Sequence, residues 1–311
     1  MIRAQNLCRH YGTHAAVRDL SFHVRRGEVV GLLGPNGAGK STTMKMLTCF
    51  LPPTSGSATV AGIPLDEDSV AIRRHIGYLP ENAPSYSDLD VRSHLLFMGR
   101  MHGMPSATLH DRIGELGRLC GLEAVMHRRI DELSKGYKQR VGLAASMLHD
   151  PDILILDEPT TGLDPNQIVE IRQLIRRLGE EKTLLLSSHV LPEVEAVCGR
   201  MMIIDKGELL ADGSVTDLAR RVQEGHRLTL IMRGDAKRVI AHLRRRLPEV
   251  DCEEAESDEG TQLLLCDPSG EGGLAEAAFH AVVEADAVML EMRRQQATLE
   301  DVFRRLTGGQ S

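Results

Sequence analysis

Val29-Val-Gly-Leu-Leu33-Gly34-Pro35-Asn36-Gly37-Ala38-Gly39-Lys40-Ser41-Thr42 decides how this chain is read. An apolar run the length of one buried strand leads into the spacing G-x-x-x-x-G-K-[ST], and the helix-like Ser-Thr-Thr-Met-Lys-Met-Leu follows. Such glycines let the backbone turn its N–H groups toward a polyphosphate, while Lys40 reaches the terminal phosphates and Ser41 offers a hydroxyl to Mg²⁺. Strand, loop and helix in this order predict a phosphate loop for a nucleoside triphosphate, at the carboxyl edge of a parallel sheet.

The carboxylates that such a site needs stand downstream in Asp152-Ile-Leu-Ile-Leu-Asp157-Glu158-Pro. A short run of large aliphatics suits a strand buried on both faces, with the two acids at its carboxyl end. Asp157 is placed to hold Mg²⁺, and Glu158 to orient or deprotonate an attacking water.

Between the two lies Leu133-Ser-Lys-Gly-Tyr-Lys-Gln-Arg140, followed by helix formers. Ser134 is a good N-cap, so the helix start and Gly136 would present free N–H groups to an anion. Gly162-Leu-Asp164 comes next, then Ser187-Ser-His189 after the apolar Thr183-Leu-Leu-Leu-Ser.

In this order the motifs resemble the ATP-binding cassette family, over about residues 1–217. The resemblance implies an ATPase in which Tyr11 stacks on adenine and residues 34–42 hold the phosphates. Ser134 and Gly136 would be the signature that meets the nucleotide bound by the opposite subunit of a homodimer or heterodimer. Asp157 and Glu158 would be the Walker B pair, Asp164 the aspartate at the dimer seam, and His189 the switch histidine. Glu81, where the family usually has Gln, would stand beside Mg²⁺ and the water. The signature departs too, reading Leu-Ser-Lys-Gly-Tyr where Leu-Ser-Gly-Gly-Gln is commoner, but it keeps Ser134 and the second glycine. Gly77-Tyr-Leu-Pro-Glu-Asn-Ala-Pro-Ser-Tyr86 resembles the gliding-motility and drug-exporter type, and Ala-Thr-Leu-Glu-Asp-Val-Phe303 the tail of exporter subunits.

Composition sets the outer bounds. A chain of 311 residues, 42% hydrophobic and 26% charged, is an ordinary globular protein long enough for two domains. No apolar run reaches the ~18 residues of a membrane helix, and the start lacks the apolar stretch of a signal peptide, so a cytoplasmic chain is expected, peripheral on the inner face of the cell membrane. Six scattered cysteines without a C-x-x-C pair fit reduced thiols and speak against a metal site of their own. The net charge of −7 carries no basic block, which argues against nucleic acid.

The expected fold is an α/β phosphate-loop core with an antiparallel sheet over residues 1–30 and a helical subdomain at about 87–150. A hairpin-like piece is expected around Pro52-Pro-Thr-Ser-Gly56, and helices over 91–102, 109–120, 168–179 and 191–198. From residue 218 the pattern restarts as βαββαβ, the ferredoxin-like unit, with one further helix over 299–306. Three classes then stand: the ATPase subunit of an exporter whose permease is encoded separately, a soluble cassette ATPase of translation or DNA repair, and a nucleotide-binding scaffold. Lys40, Glu158 and His189 disfavour the last. The second would need fused cassettes or long coiled-coil or zinc insertions, none of which the sequence has.

Overall fold

The computed structural model of the chain describes residues 1–82, 86–214, 216–218, 226–257, 260–267, 273–295 and 303. It divides into two compact units, Met1–Val215 and Thr216–Ser311.

The first unit is built on a six-stranded sheet. Strands β3 (Val29–Leu33), β6 (Ile76–Leu79), β7 (Ile153–Leu156), β8 (Thr183–Ser188) and β9 (Arg200–Asp205) run parallel. β10 (Glu208–Ser214) folds back antiparallel on β9, giving the order β10-β9-β3-β8-β7-β6. β7 and β8 are buried at every residue, as continuous aliphatic runs covered on both faces must be. β10 returns over the two-residue turn Lys206-Gly207, both with positive φ, which is the turn whose twist suits a tight hairpin.

A second sheet, β2-β1-β4-β5, is antiparallel throughout: β1 is Ile2–Tyr11, β2 His14–Val24, β4 Ser55–Val60 and β5 Ile63–Pro64. Helix α1 (Lys40–Leu47) packs against β2 and β4 and buries Met44, Met46 and Leu47. Those side chains join Leu7, Val17 and Leu20 of one sheet to Val30, Leu32 and Ile155 of the other in a single core. Each such fully buried side chain contributes about 1.5–3 kcal/mol, so the helix that carries Lys40 and Ser41 is held from the sheet below it.

The hairpin expected at 52–56 lies elsewhere. Residues 52–54 lead into β4, which pairs with the distant β1, and the reversal falls at Ala61 and Gly62 with φ 53° and 85°. Pro-Pro-Thr-Ser-Gly has the composition of a turn. The two-residue loop that makes one carries alanine where asparagine is usual.

Helices α3 (Val91–Met101), α4 (Ser106–Leu119) and α5 (Lys135–Ser146) form the helical region. α4 buries Leu109, Ile113, Leu116 and Gly117, one stripe at helical spacing, and Leu109 lies where a Cβ on Gly99 of α3 would be. α6 (Pro165–Gly179) and α7 (Leu191–Val197) cover β8, and α7 also covers β3, at Gly31, where Val194 leaves no room for a side chain. An additional helix, α2 (Ser69–His75), was not expected; Asp68 caps it by accepting from the N–H groups of Val70 and Ala71.

The second unit runs β11 (His226–Arg233), α8 (Ala236–Arg246), β12 (Asp251–Ser257), β13 (Gly260–Asp267), α9 (Leu274–Glu284), β14 (Val288–Gln295). Its sheet has the order β12-β13-β11-β14, antiparallel throughout, around Leu228, Leu230, Val239, Leu243, Leu263 and Val282. This is the βαββαβ order with the first and third strands central, the ferredoxin-like arrangement. The further helix over 299–306 and the turn at 258–259 lie outside the described residues, except for Phe303.

Candidate functional site

The loop between β3 and α1 turns through Gly37 and Gly39, at φ 81° and 104°. A Cβ on Gly39 would stand 2.5 Å from the carbonyl oxygen of Ala16, and one on Gly34 would strike the carbonyl of Ile204, so the loop is closed to larger residues by backbone on two sides. Lys40 Nζ folds back over the loop and donates to the carbonyl oxygens of Gly34 at 2.7 Å and Pro35 at 3.2 Å.

Register brings the acids alongside. β8 lies between β3 and β7, so the carboxyl ends of all three strands open on one edge of the sheet. Ser41 Oγ donates to Asp157 Oδ1 at 3.1 Å, and Ser187 Oγ donates to the same oxygen at 2.6 Å. Ser187 Oγ also accepts from the N–H of Glu158 at 2.9 Å. Glu158 has φ 50°, a left-handed backbone that is uncommon away from glycine, and it directs a buried carboxylate at the loop. Its Oε1 lies 3.3 Å from Lys40 Nζ, while Oε2 accepts from Thr161 Oγ1 at 3.1 Å and sits 2.9 Å from His189 Nδ1.

Of these groups Lys40, Ser41, Glu158, Thr161 and His189 line a cleft of about 680 Å³, within the usual range for a small-molecule site, whereas Gly34, Pro35, Asp157 and Ser187 lie outside its lining. It is lined by Tyr11, Asn36, Gly37, Ala38, Gly39, Lys40, Ser41, Thr42, Glu81, Glu158 and His189, together with His14, Ala16 and Thr161, which sequence reasoning did not single out. Tyr11, at the end of β1, is exposed and carries the Arg9 guanidinium 5.0 Å from its ring centre. Glu81 is exposed, and its neighbours Pro80 and Asn82 line a different cavity.

Ser134, Gly136 and Asp164 do not line this cleft. Ser134 caps α5, accepting from the N–H of Tyr137, and Asp164 caps α6, accepting from the N–H of Gln167 at 2.9 Å. The two caps are tied together: the Gln167 side chain lies against Gly136, and the Lys135 side chain lies over Gly162, which has φ 72°. Ser134 and Asp164 are exposed while Gly136, expected to present a free N–H, is buried against Gln167, so one chain offers a phosphate cleft in one place and two capped helix starts in another.

Comparison with known proteins agrees in kind. Residues 17–161 match the family model described as ABC transporter. The chain is 41% identical over 223 residues to the uncharacterized ABC transporter ATP-binding protein YxlF of Bacillus subtilis (strain 168), covering 72% of this chain and 74% of that one. It is 33% identical to the linearmycin resistance ATP-binding protein LnrL of the same organism, over 99% and 98% of the two chains. It is 35% identical to the Nod factor export ATP-binding protein I of Rhizobium sp. (strain N33), over 96% and 94%. Among solved structures, the ATP binding subunit of an ABC transporter superposes with TM-score 0.65 at 31% identity, over 71% of this chain and 93% of that one. A bacterial ABC transporter cassette solved as a dimer superposes with TM-score 0.64 at 25% identity, over 69% and 98%. A phosphate loop alone fits many ATPases, but relatives matched along nearly their whole length do not leave that choice open: the chain belongs to the ATP-binding proteins of ABC transporters, and it is an ATPase of that family.

Proposed function

We propose that this chain is the ATP-hydrolysing subunit of an exporter whose membrane-spanning permease is a separate chain, and that each ATP site is shared between two copies of the ATPase subunit. The observation that carries the shared site is the separation just described: the cleft holds Lys40, Glu158 and His189, whereas the helix starts at Ser134 and Asp164 face outward from the same chain. A triphosphate in an open cleft keeps one flank in water, and charge stabilisation works best where water is excluded. The Ser134 cap and Gly136 of a second copy would close that flank, with Asp164 at the seam.

Within the cleft, Lys40 and the N–H groups of residues 34–42 hold the phosphates and Tyr11 stacks on the base. Glu158 takes the proton of the attacking water, and His189, against Glu158, touches the terminal phosphate. The donors around Ser41 fit Mg²⁺: two hydroxyls meet one buried carboxylate oxygen, a hard oxygen set at which the ion keeps room for phosphate and water. Ser41 and Asp157 would hold it, with Glu81 at the outer edge, and the ion would neutralise charge on the phosphate oxygens.

A cavity of about 640 Å³ supports permease coupling. It lies between α1, β6, α3 and α5, with Phe50, Tyr78, Pro80, Asn82 and Met98 in its lining, and Phe50 is 72% exposed at its mouth. Glu81 faces the nucleotide cleft while the residues on either side of it face this cavity, so a permease segment seated there would sense the nucleotide through one short stretch of backbone. Among the described residues no helix is long and apolar enough to cross a membrane; in this reading the permease supplies that part and the chain sits against it on the inner face of the membrane. The names of the relatives, resistance and export, favour outward transport.

Sedimentation of Glu158→Gln with Mg²⁺ and ATP tests the shared site. A dimer is expected with ATP and a monomer without nucleotide. A monomer at saturating ATP sinks the reading. For the permease, Phe50→Asp should lose co-purification with the co-expressed membrane chain while keeping its ATP binding.

A further inference from the structure

Glu193 is a buried acid that none of the expected roles uses. It lies in the first turn of α7, 8% exposed, where a negative charge is favoured by the helix dipole. Among the described residues no ion pair reaches it. One oxygen, Oε2, instead accepts from Ser188 Oγ at 3.0 Å and from Thr160 Oγ1. Both hydroxyl residues are themselves buried, at 1% and 5% exposed.

The placement of those two hydroxyls is what matters. Thr160 stands two residues beyond Glu158, and Ser188 immediately precedes His189. The parallel pairing of β7 with β8 ends at Leu156 and Leu186, so no ladder bond fixes the two chain segments beyond it relative to each other. Two side-chain bridges take over. Ser187 joins them on one side, through Asp157 and the N–H of Glu158, and Glu193 joins them on the other. The Ser188 hydroxyl accepts from the N–H of Val190 at 3.0 Å and donates to Glu193 Oε2 at 3.0 Å, closer than the Val190 carbonyl oxygen at 3.5 Å.

We propose that Glu193 is a positioning residue for ATP hydrolysis, holding the Thr160 turn against the end of β8 so that Glu158 and His189 keep their contact of 2.9 Å. A buried carboxylate bonded by hydroxyls rather than a cation is expensive to maintain, and at this place it fixes two segments that the sheet has released. The inference rests on the reading that Glu158 and His189 carry hydrolysis.

Steady-state ATPase of the full chain tests it. Glu193→Ala should lower kcat about tenfold or more with KM within about threefold, because Lys40 and the phosphate loop are untouched. Glu193→Gln keeps an acceptor oxygen in place and should recover kcat to within about threefold of the parent. Combined with His189→Ala, Glu193→Ala should cost less than about twofold further, since a residue acting through another is silent once that other is gone. Parental kcat in Glu193→Ala overturns the inference, and so does an equal fold-loss with and without His189, the mark of a merely structural role. If Glu193→Ala does not fold, Thr160→Val and Ser188→Ala each remove one bond and leave the charge, and parental kcat in both overturns it equally. If His189→Ala alone keeps parental kcat, the reading of His189 falls and takes this inference with it, which separates the two failures.

Discussion

Lys40 Nζ lies 3.3 Å from Glu158 Oε1, and both side chains are more than nine-tenths buried. The phosphate-loop cation and the acid at the end of β7 therefore neutralise each other across the cleft. On the proposed reading, phosphate oxygens entering the loop would compete for the same ammonium, so nucleotide binding would free Glu158 Oε1 while His189 and Thr161 keep Oε2 in place. With Glu158 as the proposed base, one carboxylate oxygen then stays held while the other becomes free to take a proton.

Glu158→Gln removes the basic lone pair and keeps the shape. We expect kcat to fall by about 100-fold or more, as for loss of a general base. ATP affinity should be retained or tightened a few-fold, because the amide no longer competes for Lys40. Normal turnover by the purified variant would remove Glu158 from the role of base.

The phosphate loop, the acidic strand end and the helix cap at Ser134 were legible because each is local. Gly34 to Ser41 and Asp157-Glu158 carry their chemistry in adjacent residues, and Ser134 announces a helix start by type and position, whereas Asp164 reads only as a seam residue and its capping of a helix that begins at Pro165, not 168, was missed. What joins them was not legible. Ser187 reads as one of two serines before a histidine, and only the register of β7 with β8 brings its hydroxyl to Asp157, 30 residues away. Glu193, four residues past His189 on a short helix, belongs to no motif, and only the fold brings the hydroxyls of Thr160 and Ser188 to its carboxylate. Helix α2 was missed because Asp66-Glu-Asp-Ser has the composition of a loop, although Asp68 is its cap.

Glu81 stands where a neutral amide is commoner and makes no hydrogen bond among the described residues, while lining the nucleotide cleft. Glu81→Gln removes its charge but keeps an oxygen. Basal ATPase should stay within about threefold, since no proton transfer is lost. Coupling to the permease is where a change is expected. Complete loss of basal hydrolysis would show that the carboxylate does chemistry.

The imidazoles of His102 and His149 stack with centroids 3.9 Å apart and planes within 7°. Burial, with the nearby His102 adding to it, lowers the pKa of His149 from 6.5 to about 4, and burial also lowers those of His102 and His94. Lys182 pushes the same way, whereas the backbone carbonyls at Ile76 and Arg73 oppose it. A folded pKa below the unfolded one means that the unfolded chain takes the proton first. Stability from these rings is therefore full above the unfolded value near 6.5 and is lost as pH falls toward about 4. Asp90 and Asp150, held below the ordinary 3.8 by Ser93 and Lys182, lose their contribution only at lower pH. The urea midpoint of the first unit should fall between pH 7.5 and pH 5, and His149→Asn should flatten that slope. A midpoint insensitive to pH in this range would contradict the desolvation of His149.

Two inactive variants should repair each other if the site is shared. Lys40→Ala removes the cation that meets the phosphates, and Ser134→Arg fills the cap that the opposite copy needs, so each homodimer carries a defect in both sites. In a mixed dimer one composite site combines the phosphate loop that lacks its lysine with the cap that is blocked, and it is doubly dead. The second composite site then joins an intact phosphate loop to an intact cap. ATP-dependent dimerisation should reappear on mixing, with ATPase up to about half of the parent where the two sites fire independently and less where they are coupled. If both variants are folded and mixing restores neither dimerisation nor hydrolysis, the cleft of a single chain must hold all it needs, and the outward-facing caps at Ser134 and Asp164 serve only their own helices.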